Sequence, residues 1–160
     1  MADTETAQDL LTTCIQDLFA GERDLAARLP AVAAQAKDEI LRTALDRVVA
    51  HAQAHADKLE ESGRAKGGPE NIWMRGILDD AERDTQTIAA GPLLDTAMIG
   101  AVRKALAAKR VSYETAIAMA EALTERELAV TIGQLRESEI AADAQLGEML
   151  ARTTGAAAQH

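Results

Sequence analysis

Apolar residues recur at alternating steps of three and four along four stretches of the chain. The first is Leu11, Ile15, Leu18, Leu25, Leu29 and Val32; the second is Leu41, Leu45, Val48, Ala52 and Leu59. The third is Ile99, Val102, Leu106, Tyr113, Ala116, Ala120 and Leu123, and the fourth Leu128, Ile132, Leu135, Ala142, Leu146 and Met149. This spacing keeps one side of a helix turned to a common core, so four long amphipathic helices are expected. The first runs from Asp3 or Thr4 to about Gln35 with Pro30 inside it, where the lost N–H bends or loosens the last turns. After a reversal near Ala36 to Asp38, the second ends at Glu61, stopped by Ser62-Gly63. The third spans Pro92 or Leu93 to Leu123, and the fourth Thr124 or Glu125 to near Arg152.

The glycine-rich stretch Gly63 to Pro69 reads as the one clear loop. Behind it Ile72, Trp73, Ile77, Leu78, Ala81 and Ile88 outline a shorter amphipathic helix that ends before Gly91-Pro92, with Trp73 as its packing anchor. Two hairpins joined by such a connection make an all-α, ferritin-like four-helix bundle with an extra short crossover helix between the second and third long helices. One domain is expected over residues 1–153, with 154–160 as a disordered tail of small residues.

Each seam is interrupted once by a polar side chain: Glu22, His55, Lys109 and Glu139. Charges on a core-facing stripe must be paired, ligated or neutralised, so the candidate chemistry lies there. Counting equal rises from the first turn places Glu22 level with His51, one turn from the seam histidine, at about 1.5 Å per residue. His51 and His55 share a helix side, and either can complete the layer. The second hairpin sets Lys109 level with Glu139, with Asp143 a turn beyond. The expected polar layer is therefore Glu22, His51 or His55, Lys109, Glu139 and Asp143. Carboxylate-bridged dimetal bundles ask for a Glu from each of two helices and a Glu-x-x-His pair from each of the other two. Val48-x-x-His51 lacks that carboxylate, and the third helix sets a lysine where an acid is wanted.

Hydrophobic residues make up 48% of the chain and aromatics 2%, which suits helices rather than sheets. With 17 basic and 26 acidic side chains the formal net charge is -9, so a nucleic-acid backbone or an anionic membrane is repelled. No basic leader or membrane-length apolar run is visible, and a cytoplasmic protein is expected. The lone Cys14 excludes an intramolecular disulfide and reads as a small half-buried residue. No nucleophile-base pair, phosphate loop or dinucleotide fingerprint is present, which leaves no support for an enzyme of another class.

Taken in order, "LLTTCIQDLFAGERDLAARLP" from Leu10, "GILDDAE" from Gly76, "DTAMIGAVRKA" from Asp95, "SYETAIAMAEAL" from Ser112 and "ESEIAADAQL" from Glu137 resemble the YciE/YciF family of bacterial stress-associated ferritin-like proteins. The match covers residues 8 to 150. The resemblance implies a ferritin-like bundle with a short helix after the second, a homodimer, and a dimetal centre of unsettled role. Glu22 matches the family's first-helix acid, and His51 falls where the second-helix ligands lie. The third-helix family segment "VEHYEIASY" corresponds to "LAAKRVSY" here, so Leu106 and Lys109 stand in place of acids. Glu139 and Asp143 remain from the fourth-helix cluster.

Two readings follow. In the first, Lys109 replaces metal as the cation between Glu22 and Glu139, no cofactor is bound, and the role is structural or interactive rather than catalytic. The alternative is an iron- or manganese-binding oxidase or storage-related protein using Glu22, His51 or His55, Glu139 and Asp143, with Lys109 turned outward. Tyr113 is expected mainly to pack, with a weak polar contact. For a homodimer surface, the alanine-rich stretch Ala116 to Ala120 is the candidate, and Glu121, Glu125, Arg126 and Glu127 read as a solvated outer side.

Overall fold

The computed structural model describes residues 2–159. Five helices and no strand occur among them: α1 (Ala7–Ala33), α2 (Glu39–Glu60), α3 (Ile72–Thr87), α4 (Pro92–Ala122) and α5 (Arg126–Ala157). Pairing of α1 with α2, α4 with α5, α1 with α4, and α2 with α5 closes the four long helices into a bundle. The shorter α3 lies across α1 and α4.

Local chemistry sets the ends. Thr6 and Asp9 form a reciprocal capping box at α1, Asp9 N–H donating to Thr6 Oγ1 at 3.1 Å and Thr6 N–H to Asp9 Oδ2 at 2.9 Å. Pro30 stays within α1, which closes at Ala33, two residues short of the expected Gln35. Asp38 caps α2 by accepting from Ile40 and Leu41 N–H. The reversal between α1 and α2 is held from afar. Buried Asp95, in the first turn of α4, accepts Lys37 N–H and Asp38 N–H, each at 3.0 Å. Pro92 opens α4 at its first turn, behind Gly91 at φ +114°, a conformation that favours glycine.

The α3 anchor has a second part that the apolar pattern does not show. Trp73 Nε1 donates to Asp17 Oδ2 at 3.0 Å, while Asn71 caps α3 through Met74 N–H and donates from Nδ2 to Asp17 O at 2.8 Å. Gly21 makes this approach possible, because a Cβ there would meet Asn71 Nδ2 at 2.8 Å. Ile72, read as part of the apolar side of α3, is 73% exposed.

Helix α5 continues past Arg152 to Ala157, so the tail expected from residue 154 is helical through that point. Thr153 is buried, and its hydroxyl donates to Met149 O at 3.0 Å, tying the last turns back to the helix. His160 lies outside the described residues. The apolar interior falls into two clusters. One gathers Leu25, Leu45, Val48, Leu106 and Leu146 with the buried side of α3; the other gathers Leu11, Ile15, Leu18, Leu59, Tyr113, Ile132 and Leu135. Between them in every long helix stands one charged or titratable residue.

Candidate metal centre occupied by a lysine

Those four residues, Glu22, His55, Lys109 and Glu139, are 0%, 5%, 1% and 2% exposed. Their seam positions explain the burial: Glu22 lies between Leu18 and Leu25, His55 between Ala52 and Leu59, Lys109 between Leu106 and Tyr113, and Glu139 between Leu135 and Leu146. Each helix therefore delivers its polar group to the core by the same periodicity that delivers its leucines. The Lys109 ammonium donates to Glu22 Oε2 at 3.0 Å and to Glu139 Oε1 at 2.7 Å. His55 Nδ1 is 3.3 Å from Glu22 Oε1 and 2.9 Å from Glu139 Oε1. A ring nitrogen between two carboxylate oxygens carries its proton and donates. The Tyr113 hydroxyl completes the set, donating to Glu22 Oε1 at 2.5 Å.

Tyr113 thus makes a short bond to a carboxylate and not only an apolar contact, and its ring stands edge-on to His55. The apolar pattern alone carried no sign of this; its i, i+4 spacing from Lys109 on the same seam was the available signal.

Two expected members lie elsewhere. His51 is exposed, stacked at 6.0 Å between ring centroids on the outer side of His55. Equal counting from the turn failed because the burial period of α2, through Val48, Ala52, His55 and Leu59, fixes rotation and places His51 off the core stripe. Asp143 is held by Arg103, whose Nε donates to Asp143 Oδ1 at 2.7 Å at the α4/α5 surface. That salt bridge takes the carboxylate out of the layer. Ala116 and Ala120 are 0% exposed within the chain, so they offer no surface to a second copy. Glu125 is drawn from the solvated outer side by Arg64, at 2.9 Å, and by Gln8.

The electrostatics follow from the pairing. Burial pushes the Glu22 carboxyl up, but the Lys109 ammonium, His55 and Tyr113 outweigh it and hold the group below the ordinary 4.5. Burial pulls Lys109 and His55 down, yet the two carboxylates raise both above their ordinary values. The Tyr113 hydroxyl is raised well above 10.0 by burial and by the same carboxylates, which keeps it a donor. The Lys109 ammonium, joined by the His55 ring when it is protonated, thus opposes the charge of the carboxylates it bridges. Cys14 is pushed up by burial and by Asp17, the opposite of an activated thiol.

The signs define a pH window. His55, raised in the folded state, contributes stability below about 6.5 that is lost as pH rises through its folded value; Glu22, lowered, contributes above about 4.5 and loses it on acidification. The melting temperature should accordingly fall as pH rises above 6.5, more steeply than in His55→Gln. Equal slopes in the two proteins would remove His55 from the linkage.

Among the described residues, Glu22, His55 and Glu139 bring one ligand atom each to within 4.8 Å of one another, a spacing compatible with a metal ion. The donor set suits iron or manganese, but Lys109 Nζ already bridges both carboxylates. A cation is thus built into the chain at that place, and a second one would meet its charge at contact distance. With Lys109 so placed, both carboxylates of the set already share an ammonium.

Comparison with known proteins gives the fold a counterpart. The crystal structure of the E. coli stress protein YciF is similar over 94% of this chain and 98% of that one, with a TM-score of 0.89 at 20% identity. YcfI, a putative structural protein from Rhodopseudomonas palustris, is similar over 91% of this chain and 95% of its own, with a TM-score of 0.85 at 23% identity. These likenesses show that the all-helical bundle fold is shared with both proteins. No curated protein matches the sequence. Residues 6–159 match the family described as Domain of unknown function (DUF892), and the chain therefore belongs to that family.

Proposed function

We propose that this protein is a stress-associated, ferritin-like bundle in which Lys109 has replaced metal between Glu22 and Glu139, and that its role is structural or interactive rather than catalytic. The observation that carries the reading is the ammonium of Lys109 bonded to both carboxylates at 3.0 and 2.7 Å in the buried centre of the bundle. A lysine held cationic there offers no open coordination position and no redox chemistry. The stress association rests on the name of the E. coli relative, and the structural role accords with that of the Rhodopseudomonas palustris protein. In this reading α3 serves as the crossover of a ferritin-like four-helix fold. The net charge of -9 disfavours nucleic acid and anionic lipid as partners, and among the described residues no helix is long and apolar enough to cross a membrane.

The test is elemental analysis of the protein purified without added metal or chelator, beside Lys109→Glu. The parent is expected to carry no stoichiometric iron or manganese, and the variant, with three buried carboxylates and His55, to take up metal. Stoichiometric metal in the parent would reject the reading and favour the alternative, a metal-using protein with Glu22, His55 and Glu139 as ligands. That alternative draws on the ligand-like spacing of the three side chains.

A further inference from the structure

His55 spans the wall of the bundle. Its Nδ1 faces the buried carboxylates, 3.3 Å from Glu22 Oε1 and 2.9 Å from Glu139 Oε1. Its other ring nitrogen, Nε2, has no hydrogen-bond partner among the described residues. The buried side-chain atoms left unpartnered are Arg42 Nε, Arg64 Nη1, Arg136 Nε and Glu139 Oε2; Nε2 is not one of them, so it meets solvent. Outside it stands the exposed ring of His51, 6.0 Å away between centroids and within 12° of parallel.

We propose that His51 and the Nε2 of His55 form a surface site for a borderline divalent cation of the Zn²⁺ class. The spacing His51-x-x-x-His55 sets both imidazoles on one side of α2, the arrangement by which a helix offers two ring nitrogens to one ion. His55 is already set for ligation. A metal-bound histidine nearly always donates its second N–H to a carboxylate, which fixes the tautomer and ring orientation and makes the free nitrogen more basic. Glu139 and Glu22 hold Nδ1–H in that way, leaving the lone pair on the outward Nε2. Only the exposed His51 has to turn to reach the same ion. The ion takes the place of a proton on Nε2, so a positive charge still stands behind the ring, facing the carboxylates. Imidazole pairs suit zinc, copper and nickel, whereas magnesium and calcium demand oxygen ligands. Water completes the coordination. Ala52 stands where the helical zinc-hydrolase motif carries its glutamate base, so the pair binds without hydrolytic chemistry. The site uses the outward nitrogen of His55 and leaves the Lys109 bridge in place, so it does not depend on the reading of the core.

Calorimetric titration of the full chain with zinc chloride at about pH 8, where ligand nitrogens lose their protons to metal readily, provides the test, with magnesium chloride as the control. Zinc should bind as a single saturable equivalent and magnesium should not. His51→Gln, at an exposed position that tolerates substitution, should weaken zinc at least about tenfold. His160→Gln, which removes the remaining histidine, should leave the affinity unchanged. In ¹⁵N spectra of the histidine rings, zinc should shift His55 Nε2 while Nδ1 keeps its proton. No saturable binding below about 1 mM zinc would overturn the proposal. Equal affinity in the parent and His51→Gln would do so too, by placing the ion elsewhere, as would loss of the Nδ1 proton, which would place it in the core. Iron or manganese content of the parent enters none of these readouts, so this site and the reading of Lys109 fail separately.

Discussion

Lys109→Met should lower the unfolding free energy by about 3–5 kcal/mol, the typical cost of removing one partner from a buried ion pair. The loss would be read as a shift of the urea midpoint at unchanged slope. Methionine fills the volume of the lysine stem, so cavity formation contributes little and the effect isolates the charge. Glu22 and Glu139 would then face each other with only His55 between them, two carboxylates that cannot both remain ionised at low cost. One of them takes up a proton, so the deficit should shrink as pH is lowered. A variant as stable as the parent, with the same pH response, would show that the ammonium contributes nothing at the centre of the bundle.

Glu22→Leu is the second large effect, again about 3–5 kcal/mol by the same measurement. Glu22 accepts from Lys109, His55 and Tyr113, so its removal leaves three donors short at once. The ammonium and imidazole can fall back on Glu139, but the Tyr113 hydroxyl is left buried without its acceptor. Adding Tyr113→Phe to Glu22→Leu should therefore cost little or restore some stability, whereas Tyr113→Phe alone should be destabilising. Additive losses in the double variant would mean that the tyrosine hydroxyl and the glutamate act independently, contrary to the short bond between them.

Much of this architecture was legible before any coordinates. The heptad runs show which side of each long helix is buried, and a charge on a buried stripe is conspicuous because its neighbours three and four residues away are leucines. Glu22, His55, Lys109 and Glu139 stand out on those grounds, and the structure places them in contact. Position along the bundle axis is a different quantity. Counting residues from a turn assumes equal stagger of the two helices, which led to His51, while rotation about the helix axis selects His55. Asp143 was misread because one helical turn separates a core position from a surface one, and the sequence does not show that Arg103 waits on the neighbouring helix. The roles of Gly21, Asn71 and Asp95 were hidden for a related reason: each depends on a contact between elements far apart in the chain.

The division of the apolar interior by a single charged stratum has a consequence for assembly of the fold. Leucine layers are nearly interchangeable, so a helix sliding by one heptad along its neighbours would still bury grease against grease. The ammonium and its carboxylates do not tolerate that slip, because each would then be pressed unpaired against aliphatic carbon. Alignment of the four long helices is thereby selected at one point of the axis, in the way that a lone polar core residue fixes the registry of a coiled coil. The stratum acts as a detent, and a chain whose centre was rebuilt entirely from leucine would be free to settle at more than one height.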